Sequence, residues 1–415
     1  MGSRYSFNNE CIKCRGTKYL CGLTYCPLLI EVKASLSMGT YFKGRSLDGA
    51  SPPSVYIGWR NYPRVTVSLV SPPFRGNTSN LDLPESWLDM RLEDLIGMRL
   101  SLVRAATSLS TYVTDIQSRS IELVIDVALS EKPVDVSVVF SKPPRSEVLF
   151  DPYIPPMGPV GVAKEVNVGN TRYGRHVEKV FNDTDLKASN AIIYLYTSGV
   201  PVSRIARVLS VGALGLGKSR KLVPTRWAIT ATDKVISDYL VSRIKQYPPI
   251  NEVRVHSFKV SNNLFVAILI PSSTWLFEWL EAWFPGTTWN RYSPHVIIEG
   301  DYEGPSGRST YPGIGGCYYA SRLAVAEYLS RLRRKAAVVV LREVYEGFNI
   351  NIGVWFVREC VRKLLSSSPK KLVSINEVRK ELNELTRLGY STWVRKSFIL
   401  RKYLLNRSLS RWFRE

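Results

Sequence analysis

At 415 residues with 45% hydrophobic content, the chain is too long for one compact core and rich enough in apolar side chains to build two or three. Its 56 Lys and Arg against 35 Asp and Glu leave a net charge of +21, the electrostatic footprint of a phosphate-rich partner. No run of about eighteen apolar residues occurs, which excludes a membrane-spanning helix.

The first element in chain order is CIKCRGTKYLCGLTYC, with Cys11, Cys14, Cys21 and Cys26 spaced C-x2-C and C-x4-C. Two tight turns at this spacing can present four thiolates to one tetrahedral ion, and Zn2+ prefers that cage when its role is structural. Two disulfides or four unrelated thiols are the alternatives; the lack of a secretory leader before the cluster favours a reducing interior and metal. Cys317 and Cys360 are flanked by apolar residues and read as core packing.

After the knuckle, Pro27 to Ser37 suits a short amphipathic helix, and SPPSVYIGWRNYPRVTVSLVSPP reads as two β-branched strands bracketed by Pro pairs. Trp87 to Leu109 shows helical spacing, while Ile121 to Val127 and Val134 to Phe140 read as strands. Six prolines between Ser141 and Val160 mark a long loop or an interdomain connection. Helices are expected at Asp185 to Tyr196, Pro201 to Leu214 and Thr232 to Tyr247, then strands at Val253 to Val260 and Leu264 to Ile270. The aromatic stretch TWLFEWLEAWF suits a buried helix. Strand His295 to Glu299, a glycine-rich loop, helix Tyr318 to Arg334, strand Ala336 to Leu341 and helix Val354 to Leu365 follow. Ser374 and Glu377 form a capping box, and Trp393 to Leu405 supplies a last helix. The fold class is mixed α/β: a four-cysteine knuckle, a mixed sheet backed by helices, and a helical, basic C-terminal part. From Arg331 onward there are 20 basic and 7 acidic residues, so most of the net charge lies there.

Two segments invite anions. GALGLGKS, Gly212 to Ser219, matches the phosphate-loop pattern, but a helix precedes it and Pro224 follows, whereas phosphate cradling needs a strand before and a helix after. The match is judged coincidental; Lys218, Arg220, Lys221 and Arg226 are instead candidate contacts to a nucleic-acid backbone, with Arg331, Arg333 and Arg334 further along. DYEGPSGRSTYPGIGGCYY has the strand, glycine loop and helix in the right order. There Arg308 could clamp a phosphate, and Asp301 with Glu303 are the weak catalytic or divalent-ion candidates. No strong catalytic motif is present, and the three histidines are isolated and read as structural. At the end, NRSLSRWFRE spaces Leu409, Trp412 and Phe413 so that one helical turn makes an apolar plug for a partner pocket.

These segments together resemble the archaeal Nre DNA-repair family: CIKCRGTKYLCGLTYCP, SPPSVYIG with YPRV, GLGKSRKLVPTRWAIT, EGDYEGPSGR with GGCYYASRLAVAEYL, and the terminal SLSRWF. The resemblance covers nearly the whole chain. It implies a zinc finger at 1–32 ligated by Cys11, Cys14, Cys21 and Cys26, an N-terminal α/β domain at 33–290, a basic C-terminal α/β domain at 291–403, and a clamp-binding tail at 404–415. It further implies a DNA-damage-response protein of the archaeal cytosol, nucleoid-associated, that binds the sliding clamp (PCNA) through Asn406, Leu409, Trp412 and Phe413. Asn406 stands where the family's clamp motif has Gln, with the same amide on a shorter stem. DNA is the expected second partner and no membrane is involved. The alternatives are a metal-dependent enzyme acting on nucleic-acid or nucleotide phosphates, and a repair scaffold that does not touch DNA.

Overall fold

The computed structural model describes residues 11–22, 26, 28, 42, 44–145 and 147–405. The helix expected at 27–37 falls, Leu28 apart, outside the described residues, as does the tail from Asn406 onward. The chain divides into two compact units, one comprising Leu36–Ile236 with Asn351–Trp355, the other Met1–Ser35, Ser237–Ile350 and Phe356–Glu415. Among the described residues no helix is long and apolar enough to cross a membrane.

The first of these units holds a six-stranded mixed sheet built from β1 (Ser46–Ser51), β2 (Ser54–Ile57), β3 (Arg64–Ser71), β4 (Val103–Tyr112), β5 (Val134–Phe140) and β6 (Val160–Val168). Its order is β1-β5-β6-β4-β3-β2, with β4 and β6 parallel and every other pair antiparallel. The Pro-bracketed pair expected after the knuckle is β2 and β3, and the period-two run at Val134 to Phe140 is β5, burying Val134, Val136, Val138 and Phe140. Ile121 to Val127, expected as a strand, is instead the core of the helix Arg119–Leu129. Its buried Ile121, Val124, Ile125 and Ala128 follow the helical repeat, and that tertiary pattern outweighs the β-branched composition. The region Trp87 to Leu109 is a helix, Leu92–Leu100, followed by β4. The six-proline segment is a loop between β5 and β6, neighbours in one sheet, and is stitched by bridges Arg145 to Val160 and Leu149 to Met157. It connects no domains.

The second sheet comprises β7 (Val253–Val260), β8 (Asn263–Ile270), β9 (Leu276–Trp283), β10 (Ile297–Glu303), β11 (Ala337–Val344) and β12 (Lys370–Leu372). Its order is β10-β9-β11-β8-β7-β12, and only β9 and β11 run parallel. The stretch TWLFEWLEAWF is therefore a strand and not a helix. All eight residues of β9 are buried because both faces of this sheet are covered, which erases the alternation that marks a half-exposed strand. Leu276, Leu280 and Ala282 pack with Trp393, Val394, Ile399 and Leu400 on one face. On the other, Phe277 meets Tyr318 of the helix Gly316–Leu332, with ring centroids 5.2 Å apart. Ser374 caps the helix as read, its Oγ accepting from Glu377 N at 3.2 Å, while the Glu377 carboxylate reaches one residue beyond the cap and accepts from Val373 N at 2.9 Å.

Candidate functional site

Cys11 and Cys14 lie at the two ends of a single helical turn, Cys11–Cys14. The chain then leaves it through left-handed residues Arg15 (φ 48°) and Gly16 (φ 68°). Cys14 is buried, Cys11 and Cys26 half-buried and Cys21 exposed. The donor chemistry suits zinc, since four thiols with this spacing form a soft tetrahedral set. The described positions do not gather it: among the described residues no three Cys, His, Asp or Glu side chains form a group able to hold a metal ion.

What the knuckle does engage is the second sheet. The left-handed turn sends the Arg15 guanidinium inward, where it pairs with Glu281 of β9 and donates to Cys317 Sγ at 3.0 Å and to Ile12 O at 3.0 Å. Glu281 also accepts from Arg342 at 3.1 Å and from Trp283 Nε1 at 3.2 Å. Burial pushes the Glu281 carboxyl up, but the guanidiniums of Arg15 and Arg342 and the two donors reverse this and hold it below the ordinary carboxylate range. Arg342 is itself enclosed by Phe265, Trp283, Phe348 and Phe356, with ring centroids 5.3–5.7 Å away, and donates to Asn263 at 2.9 Å. On the rim, Lys13 pairs with Glu299 at 3.2 Å and Lys18 donates to Gly313 O at 2.9 Å. No spacing in the sequence marks Arg15; its acidic partner is in a strand far along the chain.

The glycine-rich loop follows β10 and opens the helix Gly316–Leu332, as expected, with Gly315 at φ 84° as its cap. Asp301 and Glu303 do not share a task. Asp301 accepts from Ile314 N at 2.9 Å and pairs with Arg308 at 3.0 Å, while Arg308 also donates to Tyr302 O at 2.8 Å. Glu303 is buried and accepts from Arg322 at 2.8 Å and Trp275 Nε1 at 2.5 Å, and Arg322 continues to Ser237 and Asp238 at 2.7 and 2.8 Å. The loop's own carboxylate thus meets the cation that was expected to clamp phosphate.

The phosphate-loop segment follows the helix Val202–Ser210 and runs through a short 3-10 turn, Gly217–Ser219, to the helix Thr225–Ile244. Arg220 laces this loop to the end of the helix Arg175–Asn182, donating to the carbonyls of Gly215 (2.9 Å), Phe181 (2.7 Å), Asp183 (3.0 Å) and Val180 (3.4 Å). Arg226 is buried, 3.6 Å from Asp151 and stacked between Trp59 and Tyr153 at 4.4 and 4.2 Å. Lys218 and Lys221 are exposed. Asp301, Glu303 and Arg308 belong to one compact unit and Lys218 and Arg226 to the other. Arg331 and Arg333 are exposed and Arg334 half-buried at the C-terminal end of the helix Gly316–Leu332, where Arg333 takes the left-handed cap at φ 51°.

The stem leading to the tail is firmly placed. Glu278 of β9 accepts from Ser397 Oγ at 2.5 Å and from the backbone N of Phe398 and Ile399 at 2.8 and 2.9 Å, closing the start of a short helical turn. Tyr302 stacks on Phe398 with centroids 4.5 Å apart, and Ser272 bonds Tyr403 at 2.8 Å. Asn406, Leu409, Trp412 and Phe413 lie beyond the described residues.

The described residues form a two-sheet α/β protein with its cysteine-bearing turn tied to the second sheet through Arg15 and Glu281 and with basic side chains on its surface. Two family models match it, archaeal Nre, N-terminal, over residues 20–290 and archaeal Nre, C-terminal, over residues 303–412, and the chain belongs to the archaeal Nre family. It is 44% identical to DNA repair protein NreB of Archaeoglobus fulgidus over 395 residues, 95% of this chain and 97% of that protein. It is 33% identical to DNA repair protein NreA of the same organism, over 89% of this chain and 91% of that protein. DNA repair protein NreA of Haloferax volcanii is 30% identical over 86% of each. No solved structure matches.

Proposed function

We propose that this protein serves DNA repair as a binding factor of the archaeal cytosol, associated with the nucleoid. It holds DNA through basic surface side chains and the sliding clamp (PCNA) through Asn406, Leu409, Trp412 and Phe413. The observation that carries this is the 44% identity, over 95% of the chain, with a protein named for DNA repair. The net charge of +21 supports a nucleic-acid partner, and the fixed stem ending at Tyr403 supports a tail displayed from a rigid base. Four thiols at C-x2-C and C-x4-C support one structural zinc, held by Cys11, Cys14, Cys21 and Cys26.

Deleting residues 406–415 should abolish clamp binding and leave the melting temperature unchanged. A melting point that falls would mean the segment belongs to the core. Asn406→Gln should tighten clamp binding modestly by extending the amide's reach. DNA affinity should fall steeply with salt, at a log–log slope of roughly −0.9 per neutralised phosphate on duplex, and a flat salt response would reject the DNA part. Elemental analysis should give about one zinc per chain, as a closed four-thiolate shell requires; metal-free protein would remove the zinc assignment and leave the rest standing.

A further inference from the structure

Two large rings, Tyr62 and Trp227, stand in solvent, 43% and 41% exposed, with centroids 4.9 Å apart and planes at 61°. The two rings pack edge to face, and each stays close to half exposed. Three chain segments meet there. Val113 N donates to Pro63 O at 3.1 Å and Leu222 N to Val113 O at 2.7 Å, which joins the turn before β3, the end of β4 and the run leading into the helix Thr225–Ile244. A third exposed ring, Tyr112 at 45%, stands opposite Arg64 across the β3–β4 pair, with the Arg64 guanidinium 4.3 Å from its centroid.

The three segments that meet there carry charge of one sign, while the loop at Gly217 packs against Thr184, between the exposed Asp183 and Asp185. Residues 56–64, 107–114 and 216–227 carry six basic side chains and no acidic one; Asp115 is the first carboxylate beyond them. Arg220 and Arg226 are engaged internally, as described above, and Arg60, Arg64, Lys218 and Lys221 are exposed. Trp227 sits in the first turn of a 20-residue helix, whose amino end adds partial positive charge.

We infer that Tyr62, Trp227 and Tyr112, with Arg60, Arg64 and Lys221, form a stacking platform for single-stranded DNA. This rests on the DNA-binding reading above and names the form of DNA and the residues that take it. Exposed rings interleaved with cations supply both things a bare strand offers, base faces and phosphates. A duplex hides its base faces in the stack, so the rings distinguish the two forms while the cations do not.

The test uses the full chain and fluorescence anisotropy with labelled oligo-dT, oligo-rU and a blunt duplex, each about twenty nucleotides long. Tyr62→Ala/Trp227→Ala should weaken oligo-dT binding roughly tenfold or more, the effect of losing stacked bases, and leave duplex affinity and melting temperature unchanged. Trp227→Phe, which keeps a ring, should retain most of the affinity. The platform is overturned if the double variant binds oligo-dT as tightly as the wild type, or if the wild type binds duplex but not oligo-dT; in the latter case DNA binding itself still stands. Tighter binding of oligo-rU than oligo-dT overturns the assignment to DNA. Failure to bind any of the three removes both the platform and the DNA reading.

Discussion

The glycine-rich loop after β10 and the aromatic turn before β3 are both strand-end segments carrying arginine and tyrosine, yet the fold uses their charge in opposite ways. In the first, Arg308 pairs with Asp301, Glu303 is shared by Arg322 and Trp275, and Lys18 donates to Gly313 O. In the second, Arg60 and Arg64 are exposed and the turn itself has no carboxylate; the nearby Asp151 is buried and pairs with Arg226, with Arg60 a lesser influence on it. A cation is available to an anionic ligand only where the protein has not already supplied the counter-charge. Glycine content and a helix amino end do not change that balance, because an arginine already paired with a carboxylate must give up that pair to take a phosphate.

The inward use of charge predicts its largest effect at Arg15. Arg15→Met leaves Glu281 buried with Arg342 and Trp283 as its remaining partners, and breaking a buried pair in this way costs about 3–5 kcal/mol. The midpoint of urea unfolding should shift accordingly. An unchanged midpoint would mean that the cysteine knuckle folds as an independent metal module, which is what its sequence alone suggests. A smaller effect is visible with pH. Because the folded Glu281 carboxyl titrates below its unfolded value, its contribution is present above the unfolded pKa of about 4.3 and is lost as pH falls through the lower folded value. The stability gap between wild type and Glu281→Gln should therefore be widest near neutral pH and close on acidification. A gap that stays constant down to acid pH would show that Glu281 is not depressed.

Local signals were legible in the sequence and long-range ones were not. The Pro pairs gave β2 and β3 their limits, and the S-x-x-E spacing gave the Ser374 cap, because turn and cap chemistry is settled within a few residues. TWLFEWLEAWF misled because burial on both faces removes the period-two pattern, leaving a run whose wide aromatic spacing imitates a helix. Ile121 to Val127 misled in the opposite sense, its β-branched content masking a 3.6-residue repeat. At the candidate sites, the strand, loop and helix order around Gly304 to Gly316 was readable, but the pairing of Arg308 with Asp301 depends on how the loop folds back. The cysteines were readable and the reach of Arg15 to Glu281 was not. Tyr62 and Trp227 carry no motif at all, being brought together by hydrogen bonds among three segments and by their own edge-to-face contact.

The comparison is sharpened most finely by exchanging the readouts at its two arginines. Arg308→Ala removes a partly buried, charge-assisted contact and should cost about 1–3 kcal/mol of stability while leaving single-strand affinity as it was. Arg60→Gln should do the reverse: an exposed side chain contributes little to folding, so the melting temperature stays within error. Its loss from the aromatic turn should lower the magnitude of the salt slope for oligo-dT by about 0.7, the increment for one phosphate contact on a single strand. That change is small beside the loss of the rings, and it is diagnostic because it alters the salt dependence and not only the affinity. If Arg60→Gln instead lowers stability while Arg308→Ala flattens the salt response, the assignment is inverted: the glycine-rich loop holds the phosphate, and Asp301 releases Arg308 when the ligand arrives.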